Sequence, residues 1–440
     1  MESICKIPLL VVSRGLWILI VSVAFVLGAR AQSSAPGIGV SGNNIVATTA
    51  GTLGLHTVTA GQTLNLRGVN FSGSEYTCTT GKGFWDVPAG NQTTINHMRD
   101  DWHANVIRLP LNEICWLGIN RAPPATSGPN YQNAMGTFVN LATASGMVVE
   151  VDLHFGTGNN GIPKNDNYPG LDAKHAPTFW QSVANYFKRN PAVIFNLINE
   201  PHSSSEISWS CYLNGGCTVK ATGGSWTVVG TQSLVNTIRA TGATNPIIIA
   251  GLNWSNDLSQ WLSSVPMDSA HAIIAGAHNY FDNLGCQDTT CWNNVWQNIQ
   301  NNGYPVLIDE FGQLHLCDHS QIDILMNWAD SVNPPIGYWA WAFTVASCTT
   351  GPALISDANG TPTQTYGQGF HDHLRAVQQS GLDSRRLLEA ASSLRWARAA
   401  NRRMRRALTL RATSRWVEAA DHPISYHVGR ALPDGFVRGA

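Results

Sequence analysis

Charged side chains are scarce in this chain, and the two signs nearly cancel. Asp, Glu, Lys and Arg make up 12% of the 440 residues and leave a formal net charge of −1. A disordered protein is expected to carry more charge, and a nucleic-acid-binding protein a positive surplus. Because 43% of the residues are apolar, the composition predicts a folded chain with a large core and no nucleic acid partner.

Cysteine pairs at metal-binding spacing and long apolar stretches are also missing. No CxxC spacing occurs, so a zinc site has little support, and we expect neither a metal nor an organic cofactor. After residue 31 no stretch is apolar enough to cross a bilayer, which takes about 20 residues. No long Ser/Thr/Pro linker divides the chain, and we predict one main domain over residues 41–378.

The N-terminus carries an apolar run with the features of a secretory signal. Lys6 and Arg14 precede residues 16–27, which are apolar apart from Ser22, and Ala29-Arg30-Ala31 fits a small-x-small cleavage site. We therefore predict a signal peptide over residues 1–31, cleavage after Ala31 and a secreted protein. The alternative is an uncleaved membrane anchor, which the shortness of the run disfavours.

Nine cysteines are present, and their number agrees with export. One lies in the predicted signal, which leaves an even set of eight for disulfides in an oxidising compartment. Cys211 with Cys217, and Cys286 with Cys291, flank short loops and can close locally. For the rest we expect bonds that tie loops at one end of the fold, Cys78–Cys115 and Cys317–Cys348. Asn-x-Ser/Thr sequons predict glycans at Asn91, Asn253 and Asn359.

The last 60 residues differ from the rest of the chain. Residues 381–440 contain twelve Arg, no Lys and five acidic residues, with apolar side chains between the arginines. This pattern is typical of a basic amphipathic helix that binds anionic lipid or polymer. Basic runs are more often only solvated. We therefore predict an irregular Arg-rich tail outside the working domain, with membrane contact as the alternative.

Eight short apolar runs recur through the middle of the chain, each followed by a polar loop and a helix-like stretch. Continuous rather than alternating apolar runs are typical of buried parallel strands. The runs are Leu64–Phe71, Asn105–Leu111, Met147–Phe155, Val193–Asn199, Ile247–Leu252, Ala272–Asn279, Val306–Glu310 and Ile336–Phe343. Eight such units predict an α/β fold, a (β/α)8 TIM barrel preceded by a small hairpin within residues 41–62. A doubly wound sheet is the alternative, but the Gly-rich turn expected after its first strand is absent.

Polar and charged residues collect where the predicted strands end. They are Arg108, His154, Asn199, Glu200, His278, Tyr280, Glu310 and Trp341. Barrel enzymes build their sites at the C-terminal ends of the strands. Buried charge is costly unless it is paired, so a chain without a function at this face has little reason to place these groups there.

Two of these runs end in a carboxylic acid. Glu200 directly follows the run Val193–Asn199. An apolar environment and a second carboxylate nearby raise the pKa of such a group, so it can keep its proton near neutral pH. Val306–Glu310 delivers Glu310, while Asp309 is expected to face away from the site. Two carboxyl groups about 5–5.5 Å apart fit a retaining glycosidase, and about 6.5–9.5 Å an inverting one.

These residues resemble glycoside hydrolase family 5, in the clan with the acid/base after strand four and the nucleophile after strand seven. The resemblance covers roughly residues 60–350. Its motifs, in order, are Leu66-Arg67-Gly68-Val69-Asn70, Ile107-Arg108-Leu109-Pro110, Asp152-Leu153-His154, Asn199-Glu200-Pro201, His278-Asn279-Tyr280 and Tyr338-Trp339-Ala340-Trp341. The stretches 72–76 and 113–118 depart from the commoner cellulases of the family, which leaves the substrate open.

The resemblance implies a role for each residue at the predicted strand ends. Glu200 would be the acid/base and Glu310 the nucleophile, held by Arg108 and Tyr280. The remaining residues, His154, Asn199, His278 and Trp341, would contact the sugar. Trp341 would serve as the stacking platform, with Trp339 as its rival, and Trp254 is a further candidate for lining the cleft.

The function that follows is hydrolysis of a β-1,4-glucan by a secreted, monomeric, retaining endoglucanase of cellulase type. A polysaccharide or oligosaccharide would be its substrate. β-Mannan, xyloglucan and β-1,3-glucan stay open, because linkage specificity lies in the loops. A non-catalytic sugar-binding barrel is disfavoured, since both carboxylic acids and their supporting Arg and Tyr are present.

Overall fold

A computed structural model describes residues 34–157, 168–221, 224–281, 285–313 and 317–378. The predicted signal peptide and the predicted tail over 381–440 lie outside the described residues. Within them no helix combines the length and the apolarity needed to cross a membrane.

Eight parallel strands close into a barrel, as the sequence predicts. Numbered along the chain with the six hairpin strands described below, they are β5 (Arg67–Asn70), β6 (Val106–Asn112), β7 (Val148–Phe155), β8 (Val193–Asn196), β11 (Ile247–Ala250), β12 (Ile273–Tyr280), β13 (Val306–Gly312) and β14 (Gly337–Ala340). Each pairs with its sequence neighbour in the barrel, and β14 closes on β5. Each of the eight predicted apolar runs overlaps one of these strands, because each strand is covered on both faces. Five runs contain the whole strand, and β6, β12 and β13 extend one or two residues past the run.

Helices surround the barrel on its outer side. Numbered in chain order, they include α1 (Gln92–Asn96), α2 (Glu113–Leu117), α3 (Pro129–Ala144), α4 (Ala176–Phe187), α5 (Trp209–Asn214), α6 (Thr231–Ala240), α7 (Thr289–Cys291), α8 (Gln297–Asn301) and α9 (Ser320–Ser331). Residues 366–378 are also helical. The main hydrophobic core lies between these helices and the outward-facing strand residues.

The N-terminal segment forms two hairpins where the sequence predicts one. β1 (Ile38–Ser41) pairs with β2 (Asn44–Ala47), and β3 (Gly51–Leu53) pairs with β4 (His56–Val58). Each hairpin has a two-residue turn that begins with a glycine of positive φ, 58° at Gly42 and 59° at Gly54. A second turn of this kind splits the predicted single hairpin, because glycine adopts such φ values without a side-chain clash.

A second, smaller core closes the barrel at the N-terminal ends of its strands. Ile38, Ile45, Leu53 and Val58 of the hairpins pack there against one inward-facing residue from each of seven barrel strands, among them Trp339. The opposite end of the barrel is therefore the one left for a site.

Disulfides tie the loops at that opposite end. All four predicted pairs are present: Cys78–Cys115, Cys211–Cys217, Cys286–Cys291 and Cys317–Cys348. The pair Cys211–Cys217 joins α5 to a third hairpin, in which β9 (Gly215–Ala221) pairs with β10 (Gly224–Val229). Each cysteine lies in a segment that follows a barrel strand, so the bonds stabilise the loops around the barrel mouth.

Candidate active site

The eight residues predicted from the strand ends converge at the C-terminal mouth of the barrel. They come from β6, β7, β12 and β13 and from the segments directly after β8 and β14. Parallel strands end at one edge of a closed sheet, so positions far apart in the sequence meet there. The contacts below join seven of them through hydrogen bonds and place Trp341 against the cluster.

Arg108 lies at the centre of the cluster and is fully buried. One guanidinium nitrogen donates to Glu310 Oε2 at 2.7 Å, and the other terminal nitrogen donates to Asn199 Oδ1 at 2.7 Å. Nε donates to Glu150 Oε1 at 2.9 Å, and Asp152 Oδ2 lies 3.2 Å from Nη2. A buried guanidinium needs such compensation, and its fixed fork holds Glu310 and Asn199 in place.

Glu310 is held at both carboxylate oxygens. Oε2 accepts from Arg108, and Oε1 accepts from the Tyr280 hydroxyl at 2.6 Å. Burial and the Glu310 charge raise the pKa of Tyr280 well above its usual value, so the phenol keeps its proton and donates. This arrangement fixes both oxygens of the Glu310 carboxyl group, as an attacking group requires.

Glu200 faces Glu310 across a short gap, with His278 beside both. His278 Nδ1 lies 3.0 Å from Glu200 Oε1 and 3.9 Å from Glu310 Oε2. One ligand atom from each of the three residues, a carboxylate oxygen or a ring nitrogen, lies within 4.8 Å of the other two. The Glu200 side chain is 14% exposed, and it is therefore the more accessible of the two acids.

The same three side chains are close enough to hold a cation. Within the described part of the chain they form the one group of at least three His, Cys, Asp or Glu residues that meets this distance limit. Their atoms already contact one another or Arg108 and Tyr280.

The prediction that Asp309 faces away from the site is wrong. Between Gly276 and His278 on β12 the register advances two residues, while β13 advances three, from Leu307 to Glu310. This bulge places one extra residue in β13, and the strict alternation of sides is lost. Asp309 consequently lies inside the barrel, directly below the mouth, where its Oδ2 accepts from Asn196 Nδ2 at 2.7 Å.

His154 and Trp341 form one wall of the mouth. Their rings stack with centroids 5.4 Å apart and an interplanar angle of 16°. His154 Nδ1 lies 3.0 Å from Asp152 Oδ2, and its Nε2 lies 3.4 Å from Asn199 Nδ2. Burial opposes a charge on His154, but the neighbouring Asp152 carboxylate raises its pKa. Trp341 is partly exposed whereas Trp339 is fully buried in the small core, so Trp341 is the available stacking face.

Trp254 lies next to the segment that carries Glu200. Its backbone N–H donates to the Pro201 carbonyl at 2.8 Å, and its ring, 40% exposed, stacks on His202 with centroids 5.4 Å apart. Asn253, Trp254 and Ser255 all have positive φ, between 53° and 62°. Such strained backbone is often found at functional sites.

Four buried polar residues that support the site were not predicted to belong to it: Asn70, Glu150, Asp152 and Asn196. Glu150, Asp152 and His154 alternate along β7, and each is at most 7% exposed. Polar residues at a period of two inside an otherwise apolar strand were the signal that would have found Glu150 and Asp152.

Comparison with known proteins identifies the family. The sequence profile described as Cellulase (glycosyl hydrolase family 5) matches residues 59–344. The chain belongs to glycosyl hydrolase family 5. The matched range contains the eight predicted site residues and the whole barrel, so the resemblance drawn from the strand-end motifs is confirmed.

Two curated relatives are similar to this chain over part of their length. The manganese dependent endoglucanase Eg5A of Phanerodontia chrysosporium is 26% identical over 239 residues, 51% of this chain and 55% of that protein. Endoglucanase C of Evansella cellulosilytica is 24% identical over 332 residues, 68% of this chain and 36% of that protein. The family 5 chain thus spans about half, or less, of the length of these relatives.

Solved structures of similar shape share the barrel fold. The β-glucanase SdGluc5_26A of Saccharophagus degradans, in complex with cellotetraose, is 20% identical with a TM-score of 0.57. The match covers 78% of this chain and 94% of that one. The catalytic domain of the Thermobifida fusca endoglucanase Cel5A is 18% identical with a TM-score of 0.52, over 77% and 97% of the two chains. At these identities the likeness supports the fold.

Proposed function

We propose that this family 5 chain is a retaining β-glycosidase that hydrolyses a β-1,4-glucan internally, as an endoglucanase. One observation carries the proposal: a carboxylate oxygen of Glu200 and one of Glu310 lie within 4.8 Å of each other. A retaining enzyme needs its two carboxyl groups about 5–5.5 Å apart, whereas an inverting enzyme needs a wider gap that admits water between them.

Glu310 is the nucleophile of the proposed reaction. Its carboxylate attacks the anomeric carbon and forms a covalent glycosyl-enzyme, while the C–O bond to the leaving sugar breaks. Arg108 and Tyr280 hold the two oxygens before the attack. The negative charge on Glu310 is lost as the ester forms, and the Arg108 guanidinium remains compensated by Glu150 and Asp152.

Glu200 is the proton carrier. It gives its proton to the leaving oxygen in the first step, and in the second step it takes a proton from the water that attacks the glycosyl-enzyme. His278 Nδ1 contacts Glu200 at 3.0 Å, so this ring orients the carboxyl group in both steps. Asn199, held by Arg108 at 2.7 Å, is placed to bind a hydroxyl of the sugar next to the cleaved bond.

The choice of β-1,4-glucan rests on the names of relatives and on the stacking faces. Both curated relatives are named endoglucanases, and the structural neighbour from Saccharophagus degradans was solved with cellotetraose. Trp341, which stacks on His154, and Trp254, which stacks on His202, offer flat faces, and indole rings suit the apolar faces of glucose units. β-Mannan and other β-glucans are the competing substrates within the family.

A single experiment tests both the substrate and the stereochemistry. The protein is incubated with cellopentaose, mannopentaose and a β-1,3-glucan oligosaccharide, and the products are followed by proton NMR. We expect cleavage of cellopentaose with the β-anomer appearing first, because two displacements preserve the configuration. Initial release of the α-anomer, or cleavage of the mannan alone, would contradict the corresponding half of the proposal.

Replacement of Trp254 tests the second stacking face. Since the ring lies beside the Glu200 segment, we expect it to bind the sugar that leaves. Trp254→Ala should lower kcat/KM for cellopentaose by about 5- to 10-fold, which corresponds to about 1–1.4 kcal/mol of stacking. Hydrolysis of β-cellobiosyl fluoride, which has no leaving sugar, should change by less than about twofold.

A matched control for Trp254 is Tyr186→Ala on α4, whose ring is similarly exposed at 42% against 40%. This control should leave both substrates unchanged. Equal losses on the fluoride and on cellopentaose in Trp254→Ala would show that the ring acts on the sugar at the Glu310 side or on folding, not on the leaving sugar.

We further infer that the chain is exported and works as a monomer on its polysaccharide. Four disulfides around the mouth persist only in an oxidising compartment. The predicted signal, the glycans at the sequons and the role of the basic tail stay predictions. Truncation at about residue 380 tests the tail: unchanged hydrolysis and localisation would leave it without a function.

A further inference from the structure

A buried carboxylate without a direct role in the proposed reaction lies below His278. Asp309 is fully buried, and its Oδ2 lies 3.7 Å from His278 Nε2. The same oxygen accepts from Asn196 Nδ2 at 2.7 Å, and Oδ1 has no hydrogen-bond partner among the residues that the structure describes. Such a group is costly to bury, and its position calls for a compensating interaction.

The surrounding backbone makes room for this carboxylate. The bulge in β13 turns Asp309 toward the barrel axis. On the neighbouring strand, a Cβ added to Gly276 would lie 3.0 Å from Asp309 Oδ1 and 3.4 Å from Oδ2. The same Cβ would lie 2.5 Å from Ile248 Cγ2, so glycine at this position leaves room for both the Ile248 side chain and the Asp309 carboxylate.

His278 consequently has a carboxylate on each side of its ring. Nδ1 faces Glu200 at 3.0 Å and Glu310 at 3.9 Å, while Nε2 faces Asp309 at 3.7 Å. A neutral imidazole carries one N–H, and its other nitrogen would turn a lone pair either toward Asp309 or toward Glu310 and the ionised form of Glu200. A proton on each nitrogen removes that repulsion and gives every facing carboxylate a favourable partner.

The other ionisable groups near this line agree with a cationic ring. Burial opposes the charge on His278, but Glu310, Asp309 and Glu200 together raise its pKa to about 10. Behind Asp309, Asn196 also donates to Glu150 Oε1 at 2.9 Å. Burial and then the Asp309 charge raise the pKa of Glu150, while the Arg108 guanidinium opposes that shift. On α5, burial and then the Asp309 charge raise the pKa of the Tyr212 hydroxyl.

We propose that Asp309 is a positioning residue for the reaction: its carboxylate keeps a proton on both ring nitrogens of His278 and thereby directs Nδ1–H at Glu200. The proposal rests on the proposed function for Glu200. The ring takes no proton in either step. It fixes the carboxyl group and favours the ionised form that Glu200 adopts after it has protonated the leaving oxygen.

The first test reads the ring directly and needs no substrate. Histidine labelled with ¹⁵N is incorporated, and the His278 signals are assigned by their loss in His278→Gln. In the wild-type protein we expect two ring N–H groups at pH 8. In Asp309→Asn the ring should titrate at lower pH and carry only one N–H at pH 8, because a facing negative charge is gone. A neutral wild-type ring at pH 8, or identical titration of the two proteins, overturns the proposal.

The second test is the pH profile of kcat/KM on β-cellobiosyl fluoride and cellopentaose. With a neutral His278 beside it, Glu200 keeps its proton to higher pH. In Asp309→Asn the alkaline limb of the kcat/KM profile for cellopentaose should therefore shift to higher pH by about half a pH unit or more. The KM for cellopentaose should change by less than about twofold. The fluoride needs little help from an acid, so its alkaline limb should move less. Unshifted limbs on both substrates would count against the role of Asp309.

Asp330→Asn is the matched control, because Asp330, although only partly buried, is another aspartate that pairs with a histidine, His373, at 3.0 Å. This control can lose stability but should keep the wild-type pH profile and the wild-type His278 signals. Asp309→Ser replaces Asp309→Asn if the latter does not fold, and the wild-type spectrum alone still decides the number of ring protons. If the proposed function is wrong, the wild-type protein will not hydrolyse the substrates. The histidine titration needs no substrate, so it tests the effect of Asp309 on His278 separately.

Discussion

Glu310→Gln should lower kcat for cellopentaose by at least about 10⁴-fold with little change in the melting temperature. The amide keeps the size and the two positions that Arg108 and Tyr280 now contact at 2.7 and 2.6 Å, but it cannot attack the anomeric carbon. When several residues act as a unit in covalent catalysis, removal of one of them abolishes nearly all of the rate enhancement. Stopped assays at high enzyme concentration, with melting curves, measure both quantities.

Binding and reactivity are separated in the same variant. Because the sugar contacts are intact, titration calorimetry with cellopentaose should show an affinity within about tenfold of the wild-type KM. The conservative control is Glu206→Gln, an exposed position in the segment after β8, which should keep full activity. Wild-type hydrolysis by Glu310→Gln would remove the catalytic interpretation and leave a sugar-binding barrel.

Glu200→Ala should show a dependence on the leaving group that Glu310→Gln lacks. Cleavage of cellopentaose should fall by about 10²- to 10⁴-fold, because the leaving sugar needs a proton. With a dinitrophenyl cellobioside, which leaves without help, the first displacement should proceed and the glycosyl-enzyme should accumulate as a burst. The second displacement should be slow, since no base activates water.

Azide completes the test of Glu200. A small anion can enter the space left by the side chain and attack the glycosyl-enzyme without a base, so azide should restore turnover. The product should be a β-glycosyl azide if two displacements occur. An α-azide would point to a single displacement, and no effect of azide together with equal losses on both substrates would assign Glu200 to binding or folding.

Much of the fold could be predicted because its signals are local. Buried parallel strands are covered on both faces, and each therefore appears as a short apolar run; all eight were found. The boundaries were less certain: the run Val193–Asn199 contains the strand Val193–Asn196, since apolar residues continue past the last backbone pairing. The two hairpins before the barrel were predicted as one, because a second glycine turn in a polar stretch is a weak signal.

The candidate site divides in the same way. Glu200 and Glu310 end apolar strands, and the motifs around them resemble a family, so their identity and order were visible in the sequence. Asp309 was misplaced, because one extra residue in β13 changes which way the side chain points, and pairing with two neighbouring strands decides where such a bulge lies. Glu150 and Asn196 were overlooked for a related reason: their partners come from other strands.

The sequence by itself determined which residue types stand at the strand ends, the barrel class and the family. The tertiary structure alone decided the separation of the two acids, the partners of Arg108 and the carboxylates on both sides of His278. Short-range patterns of apolar residues indicate which segments form strands. Hydrogen-bond geometry at the mouth depends instead on closure of the barrel and on the register between its strands. Those are set by contacts between segments that are far apart in the chain.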